Sequence, residues 1–264
     1  MPQHDHDEIR THLLAEDRGF YILRDFYTPE EIDAYRSWCE KFLETGPVIQ
    51  TRINSNRMPD YIHHRSHDRA ERTQRIYQYF HNHASDDVGA FLRRARELRD
   101  EIESAWLEEP VYRGEKERLQ DYMIVTRYTP GTGMLPRHRD YEGPAPRPLI
   151  QFWVLLSEPE KDYRDGNLVL YSRNGQRFRV ESELGVRKGD ALIFDKSLQH
   201  EVEMTGAGSS DGRGRWTLLI GARAKRDPYY QIVLKRIAFH PWMFPATRTV
   251  RDLLRRPPQQ KAAA

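Results

Sequence analysis

His138-Arg139-Asp140, with His200 and Arg215 further along, are the residues of this chain best suited by type and spacing to do chemistry. Two histidines and one carboxylate can occupy one face of a divalent iron and leave the opposite face open for substrate and oxygen. An arginine can hold an acidic co-substrate through two parallel hydrogen bonds, because its planar guanidinium presents paired donors that match a carboxylate. Of the chain's 11 histidines, only His138 and His200 lie between Ala84 and Phe239. A His-x-Asp triplet alone is weak, since so short a motif arises by chance. The structural alternative is a surface ion pair of His138 with Asp140 and a core histidine at position 200. What separates the two readings is the set of elements that carries the residues.

From residue 120 onward, short apolar runs alternate with turn residues. The runs are Tyr122–Tyr128, Leu149–Leu156, Asn167–Tyr171, Arg177–Glu181, Asp190–Phe194, His200–Met204, Trp216–Ala222 and Tyr230–Leu234. Strands at this spacing indicate a jelly roll or barrel rather than alternating β and α units. Residues i and i+2 of a strand point to one side, so His138 and Asp140 can reach one metal together. By the same alternation Arg215, Thr217 and Leu219 share a face. An arginine and a hydroxyl two residues apart suit a carboxylate at the bottom of a barrel. No glycine-rich loop opens a helix after a strand, so neither a dinucleotide fold nor a P-loop is indicated.

The first 119 residues form an elaboration of helices and loops. Phe20–Phe26 reads as a strand, and Thr28-Pro29-Glu30-Glu31 as a helix start with a capping box. Ile32, Tyr35, Trp38 and Phe42 then recur at helical spacing until Gly46-Pro47. A second helix starts near Ser85, with Val88, Phe91, Leu92, Ala95, Leu98, Ile102 and Trp106 as its apolar stripe. Residues 50–83 between them are rich in Arg, His, Asn and Tyr with weak periodicity. Such a segment is expected to cross the surface or lie over the site as a lid. Within it Tyr61, Tyr77, Tyr79, Arg72 and Arg75 are weighed as cleft residues against ordinary packing. His63, His64, His67, His81 and His83 are weighed as a second metal site but lack regular spacing. Asp195-Lys196 and Tyr141-Glu142, next to the candidate ligands, are weighed as substrate contacts.

The chain has 264 residues, 38% hydrophobic and 31% charged, enough for a single domain with a sizeable core. The expected division is residues 1–119, a β core at 120–236 and a C-terminal extension at 237–264 with a disordered end. No apolar run approaches the about 20 residues that cross a bilayer. The polar, acidic start does not have the pattern of a secretory signal, which makes the cytoplasm the default location and no membrane the expectation. Cys39 is the only cysteine, which excludes an intrachain disulfide and thiolate metal clusters within one chain. The net charge is +2 with both signs intermixed, so no nucleic-acid partner is expected.

The chain resembles the iron(II)/2-oxoglutarate-dependent oxygenases of the double-stranded β-helix fold over about residues 120–223. Arg127-Tyr128-Thr129-Pro130-Gly131 with His138-Arg139-Asp140 looks like prolyl hydroxylase-type enzymes. So do Gly166-Asn167-Leu168-Val169-Leu170-Tyr171 and the Lys188-Gly189-Asp190 turn leading to Phe194 and His200. Gly19–Asp25 with its capped helix is similar to the phytanoyl-CoA hydroxylase group. The resemblance implies a mainly β protein with a jelly-roll, cupin-like core and helices packed outside it. It implies iron(II) on His138, Asp140 and His200, with 2-oxoglutarate and dioxygen as co-substrates. It further implies Arg215 on the distal carboxylate of 2-oxoglutarate, with Thr217 and Tyr128 assisting. The interval from His200 to Arg215 is longer than usual for the family, which leaves Arg213 and Arg223 as rival clamps. The implied reaction hydroxylates a C–H bond of a small metabolite, an amino acid or natural-product intermediate, and releases succinate and carbon dioxide. A peptidyl side chain is the alternative substrate. A metal-binding jelly-roll protein without oxidative chemistry is the alternative from another class.

Overall fold

The computed structural model describes residues 5–49, 59–66, 72–83, 85–106, 119–140, 150–206 and 213–224. The helices are α1 (His6–Leu14), α2 (Pro29–Thr45) and α3 (Asp87–Trp106). The N-terminal strands are β1 (Phe20–Leu23), β2 (Tyr61–Ser66) and β3 (Arg72–Gln78). The later strands are β4 (Leu119–Tyr128), β5 (Leu135–His138), β6 (Ile150–Leu155), β7 (Arg164–Asp165), β8 (Leu168–Tyr171) and β9 (Arg177–Arg179). They continue with β10 (Ala191–Asp195), β11 (Gln199–Val202), β12 (Thr205–Gly206) and β13 (Arg215–Ala224).

Local sequence explains the helices. Thr28 Oγ1 accepts from the Glu31 amide and the Glu31 carboxylate accepts from the Thr28 amide, so both halves of the capping box form around Pro29. A cap of this kind stabilises a helix by about 1 kcal/mol. Gly46 closes α2 by donating its amide to the Phe42 carbonyl. Ile32, Tyr35 and Cys39 bury one face of α2, and Val88, Phe91, Leu92, Ala95, Leu98 and Ile102 bury one face of α3. The helix α1 was not expected. Asp5 caps it by accepting from the amides of Asp7 and Glu8, and Ile9 and Leu13, one turn apart, are fully buried.

Two antiparallel sheets face each other. A seven-stranded sheet has the order β1-β10-β6-β13-β4-β3-β2, and a four-stranded sheet the order β5-β11-β8-β9. The helices cover the outer face of the larger sheet. Along β13, Trp216, Leu218 and Ile220 join the helix-side core, whereas Leu219 packs on the cluster between the sheets. Along β4 the same split places Met123 and Val125 outward. With both faces covered, β6 is buried throughout, which is why it is apolar apart from Gln151 rather than alternating. The Lys188-Gly189-Asp190 turn ties the N-terminal segment to this core. Gly189 has φ +92° and a side chain there would come within 2.4 Å of the Tyr27 carbonyl. The buried Asp190 carboxylate accepts from Arg24 and from the amides of Asp25 and Arg187.

The expected excursion over residues 50–83 is corrected for its described part. Residues 61–66 and 72–78 are strands β2 and β3, paired with each other and, through β3, with β4. Tyr61, Ile62, Ile76 and Tyr77 are all buried, and two covered faces erase the period of two by which a strand is recognised. Tyr61, Tyr77 and Tyr79 pack together with Ile49 and Ile124. The remainder of the segment, His67, the strand at Tyr230–Leu234 and the C-terminal extension lie outside the described residues.

His83 is structural. Its Nε2 meets Asp60 Oδ2 at 2.5 Å and its Nδ1 meets Asp86 Oδ2 at 2.9 Å. Burial alone would lower its pKa, but the two carboxylates outweigh burial and raise it above 6.5. The stability it contributes is therefore full below about pH 6.5 and is lost as the pH rises through the higher folded value. The urea midpoint of the wild type is expected to fall across that window relative to His83→Gln, and a constant difference between the two would refute the pairing.

Candidate active site

The β5–β11 pairing places His138 directly opposite His200. Their ring centroids are 4.2 Å apart. His138 is the last residue of β5 and Asp140 lies just past its end, in a bend rather than within a strand. The expected same-side placement is thus reached by the chain leaving the strand. Asp140 Oδ1 is 3.7 Å from His138 Nε2, and Asp140 Oδ2 is 3.8 Å from His200 Nε2. One ligand atom from each of the three lies within 4.8 Å of the others. Among the described residues no other group of three His, Cys, Asp or Glu side chains converges in this way.

Backbone carbonyls set the histidines' orientation. His138 Nδ1 meets the Pro136 carbonyl at 2.8 Å and His200 Nδ1 meets the Leu198 carbonyl at 3.1 Å. A carbonyl only accepts, so each Nδ1 carries the proton and each Nε2 presents its lone pair to the gap between the rings. Burial would raise the Asp140 pKa, but the imidazoles of His138 and His200 beside it hold it down, at about 2. Burial pushes His200 below the usual histidine value, whereas at His138 burial acts the same way but is outweighed by Asp140, which raises it. An ionised carboxylate and a neutral imidazole are the forms that bind a metal.

The triad opens into a cavity of about 370 Å³ between the sheets, within the size range of small-molecule sites. Its walls include Thr126 and Tyr128 of β4, Trp153 of β6, Phe194 of β10, and Thr217 and Leu219 of β13. Of Arg215, Thr217 and Leu219, expected on one face, Thr217 and Leu219 line the cavity and Arg215 is not among its lining residues. Arg75 also lines it, and the register sets Arg75, Thr126 and Thr217 side by side across β3, β4 and β13.

Arg215 lies behind the Tyr128 and Trp153 wall, with its guanidinium 5.2 Å and 5.4 Å from the two ring centres. It is fully buried. Its Nε and Nη2 donate to Glu181 Oε1 at 2.9 Å and 2.7 Å, while Nη1 meets no hydrogen-bond partner. Burial alone would lower its pKa, and Glu181 more than reverses that. An orphaned donor on a buried cation is costly unless a ligand meets it. Of the rival arginines, Arg213 is exposed, and Arg223 stands near the far end of β13 opposite Gln120.

Two site residues had no functional expectation. Gln151 is fully buried and its Nε2 donates to Asp140 Oδ2 at 2.5 Å, steadying the carboxylate. The signal was a lone amide in an otherwise apolar strand. Glu181 is the other; it lay inside an expected strand and gave no sign of its partner. Asp195 accepts from Arg173 and the Ser197 amide instead of facing the cavity. Tyr141 and Glu142 fall outside the described residues.

The phytanoyl-CoA dioxygenase family model matches residues 15–162, and the 2OG-Fe(II) oxygenase superfamily model matches residues 123–220. No curated protein matches the chain. Solved structures share the fold at low identity. A prolyl-4-hydroxylase from Pseudomonas putida is 15% identical with a TM-score of 0.54, covering 84% of this chain and 100% of its own. AviO1 from Streptomyces viridochromogenes Tue57 is 15% identical with a TM-score of 0.53, covering 86% and 100%. A Trichoplax adhaerens prolyl hydroxylase, solved with a hypoxia inducible factor oxygen degradation domain peptide fragment, is 12% identical with a TM-score of 0.55, covering 87% and 91%. With more than half of its length matched by one family and its β core by the wider superfamily, the chain belongs to the phytanoyl-CoA dioxygenase family of iron(II)/2-oxoglutarate-dependent oxygenases.

Proposed function

We propose that this oxygenase hydroxylates an unactivated C–H bond of a small metabolite, an amino acid or a natural-product intermediate, with iron held by His138, Asp140 and His200. The observation that carries the reading is the convergence of three ligand atoms at a small cavity between the two sheets. Iron in a two-histidine, one-carboxylate site keeps positions open for 2-oxoglutarate and dioxygen, which together supply the oxidising power and yield succinate and carbon dioxide. The protein's own contribution is geometry. The Pro136 and Leu198 carbonyls aim the imidazoles, Gln151 holds Asp140, and Trp153, Phe194 and Leu219 give the cavity its apolar walls.

The distal carboxylate of 2-oxoglutarate goes to Arg215 in this reading, with Thr217 and Tyr128 adding contacts from the cavity wall in front of it. The orphaned Nη1 of a fully buried guanidinium fits such a ligand. Purified protein with ferrous iron and 2-oxoglutarate should release succinate in step with loss of one member of a metabolite panel that also includes short peptides. A peptide as the sole productive partner would replace the metabolite by a peptidyl side chain. Absence of succinate with every member would remove the hydroxylase reading.

Gln151→Met should leave the fold intact and weaken metal binding about 10–100-fold, the usual cost of losing a partner that orients a ligand. Competition with a chelator measures it. An unchanged affinity would mean that Asp140 is held by other means.

A further inference from the structure

Glu181 has no part in the reading above, yet it occupies the nearest charged position to the proposed co-substrate clamp. Its Oε1 accepts both Nε and Nη2 of Arg215, so it consumes one full edge of the guanidinium. Its Oε2 accepts the Leu168 amide at 2.7 Å, and the Tyr163 hydroxyl stands 3.4 Å from Oε1. Both ends of the carboxylate are thus anchored to the smaller sheet and to the loop before β7. The side chains of the pair are 0% and 4% exposed. A carboxylate fixed in this way does not leave when a ligand arrives. Only the Nη1 side of Arg215 is unclaimed.

From this geometry we infer that Glu181 is a resident counter-anion that sets the affinity for 2-oxoglutarate: it holds Arg215 in register while the pocket is empty and discounts its charge when the distal carboxylate binds. The inference rests on the assignment of Arg215 to that carboxylate. Two physical effects oppose each other. Glu181 fixes the guanidinium beside the Tyr128 and Trp153 rings with Nη1 left without a partner, which favours binding. It also places a second negative charge on the far side of the same cation, which opposes binding. Like charges sharing one buried guanidinium repel strongly at the effective dielectric of a protein interior. The loss of one orienting hydrogen bond matters less. The charge effect therefore wins, and neutralising Glu181 should tighten the site.

The test uses full-length protein loaded with ferrous iron under anaerobic conditions and titrated calorimetrically with 2-oxoglutarate and with 2-oxopentanoate, which lacks the distal carboxylate. Glu181→Gln should bind 2-oxoglutarate about tenfold more tightly than wild type and leave 2-oxopentanoate unchanged. The ligand-free variant should also unfold at a lower temperature than wild type, with 2-oxoglutarate restoring most of the loss. Should Glu181→Gln fail to fold, Glu181→Asp withdraws the carboxylate by one methylene, and a tightening of about threefold is expected from the longer separation. Equal or weaker 2-oxoglutarate binding in the folded variant, or an equal gain for 2-oxopentanoate, overturns the inference. Wild-type protein that binds neither keto acid would instead overturn the proposed function, and the two failures are distinct.

Discussion

His200→Ala is expected to reduce 2-oxoglutarate turnover at least about a thousandfold, because loss of one of three metal ligands must exceed the 10–100-fold cost of losing a residue that merely orients one. The imidazole is 5% exposed and packs beside His138 and the Phe194 ring. Its removal vacates a polar cavity wall and leaves the Leu198 carbonyl without its donor. That loss costs about 1 kcal/mol of stability, far less than what unfolds a domain of this size. The variant should therefore be folded and inactive, which separates ligation from a packing role. The measurements are succinate release, metal content after dialysis and thermal unfolding. Retained turnover would place the metal elsewhere. A variant that does not fold would make His200 a core residue first.

Arg215→Lys should raise the dissociation constant for 2-oxoglutarate about 10–100-fold, since an ammonium on a flexible stem cannot hold Glu181 and a ligand carboxylate at once as a planar fork does. Lysine keeps the compensating charge for Glu181, so the fold should survive. Arg215→Met is the contrasting case. It leaves Glu181 buried without its cation, which costs about 3–5 kcal/mol and should be visible as a large fall in melting temperature. Thr217→Val, on the cavity face, should give a smaller rise in the same dissociation constant. Unchanged affinity in Arg215→Lys would transfer the carboxylate to Arg75, which lines the cavity.

The legible parts of this chain are those where local chemistry and tertiary packing agree. Thr28, Pro29 and Glu31 announce α2, and a long apolar stripe announces α3, because each signal is contained within a few turns of chain. Strands β4, β6, β8, β9, β10, β11 and β13 are marked by the turns that punctuate them, whereas the two-residue β7 and β12 are not. The N-terminal hairpin of β2 and β3 was hidden because its residues are covered on both faces and its charged members, such as Arg75, look like surface. Helix α1 was hidden by its composition, with Ile9 and Leu13 as its only fully buried residues. Strand β5 is four residues long and mostly uncovered, so it lacks the apolar run that marks a strand.

The site divides along the same line. His138, Asp140 and His200 stood out by type and isolation; the β5–β11 register sets His138 opposite His200, and the bend past β5 adds Asp140. Thr217 and Tyr128 fall on the cavity by simple alternation. Gln151 and Glu181 were not legible, because each acts through a partner remote in sequence: Asp140 is 11 residues from Gln151, and Arg215 is 34 residues from Glu181. No local pattern encodes such a pair. It exists only once the two sheets have closed on each other.

The most direct measurement is optical titration of the anaerobic protein with ferrous iron and then 2-oxoglutarate. A weak visible charge-transfer band should appear on adding the keto acid to the iron-loaded wild type, saturate at one equivalent, and be absent from His200→Ala. A wild type that takes up iron but gives no band, or a His200→Ala variant that gives the band undiminished, would contradict an iron and 2-oxoglutarate centre built on His138, Asp140 and His200.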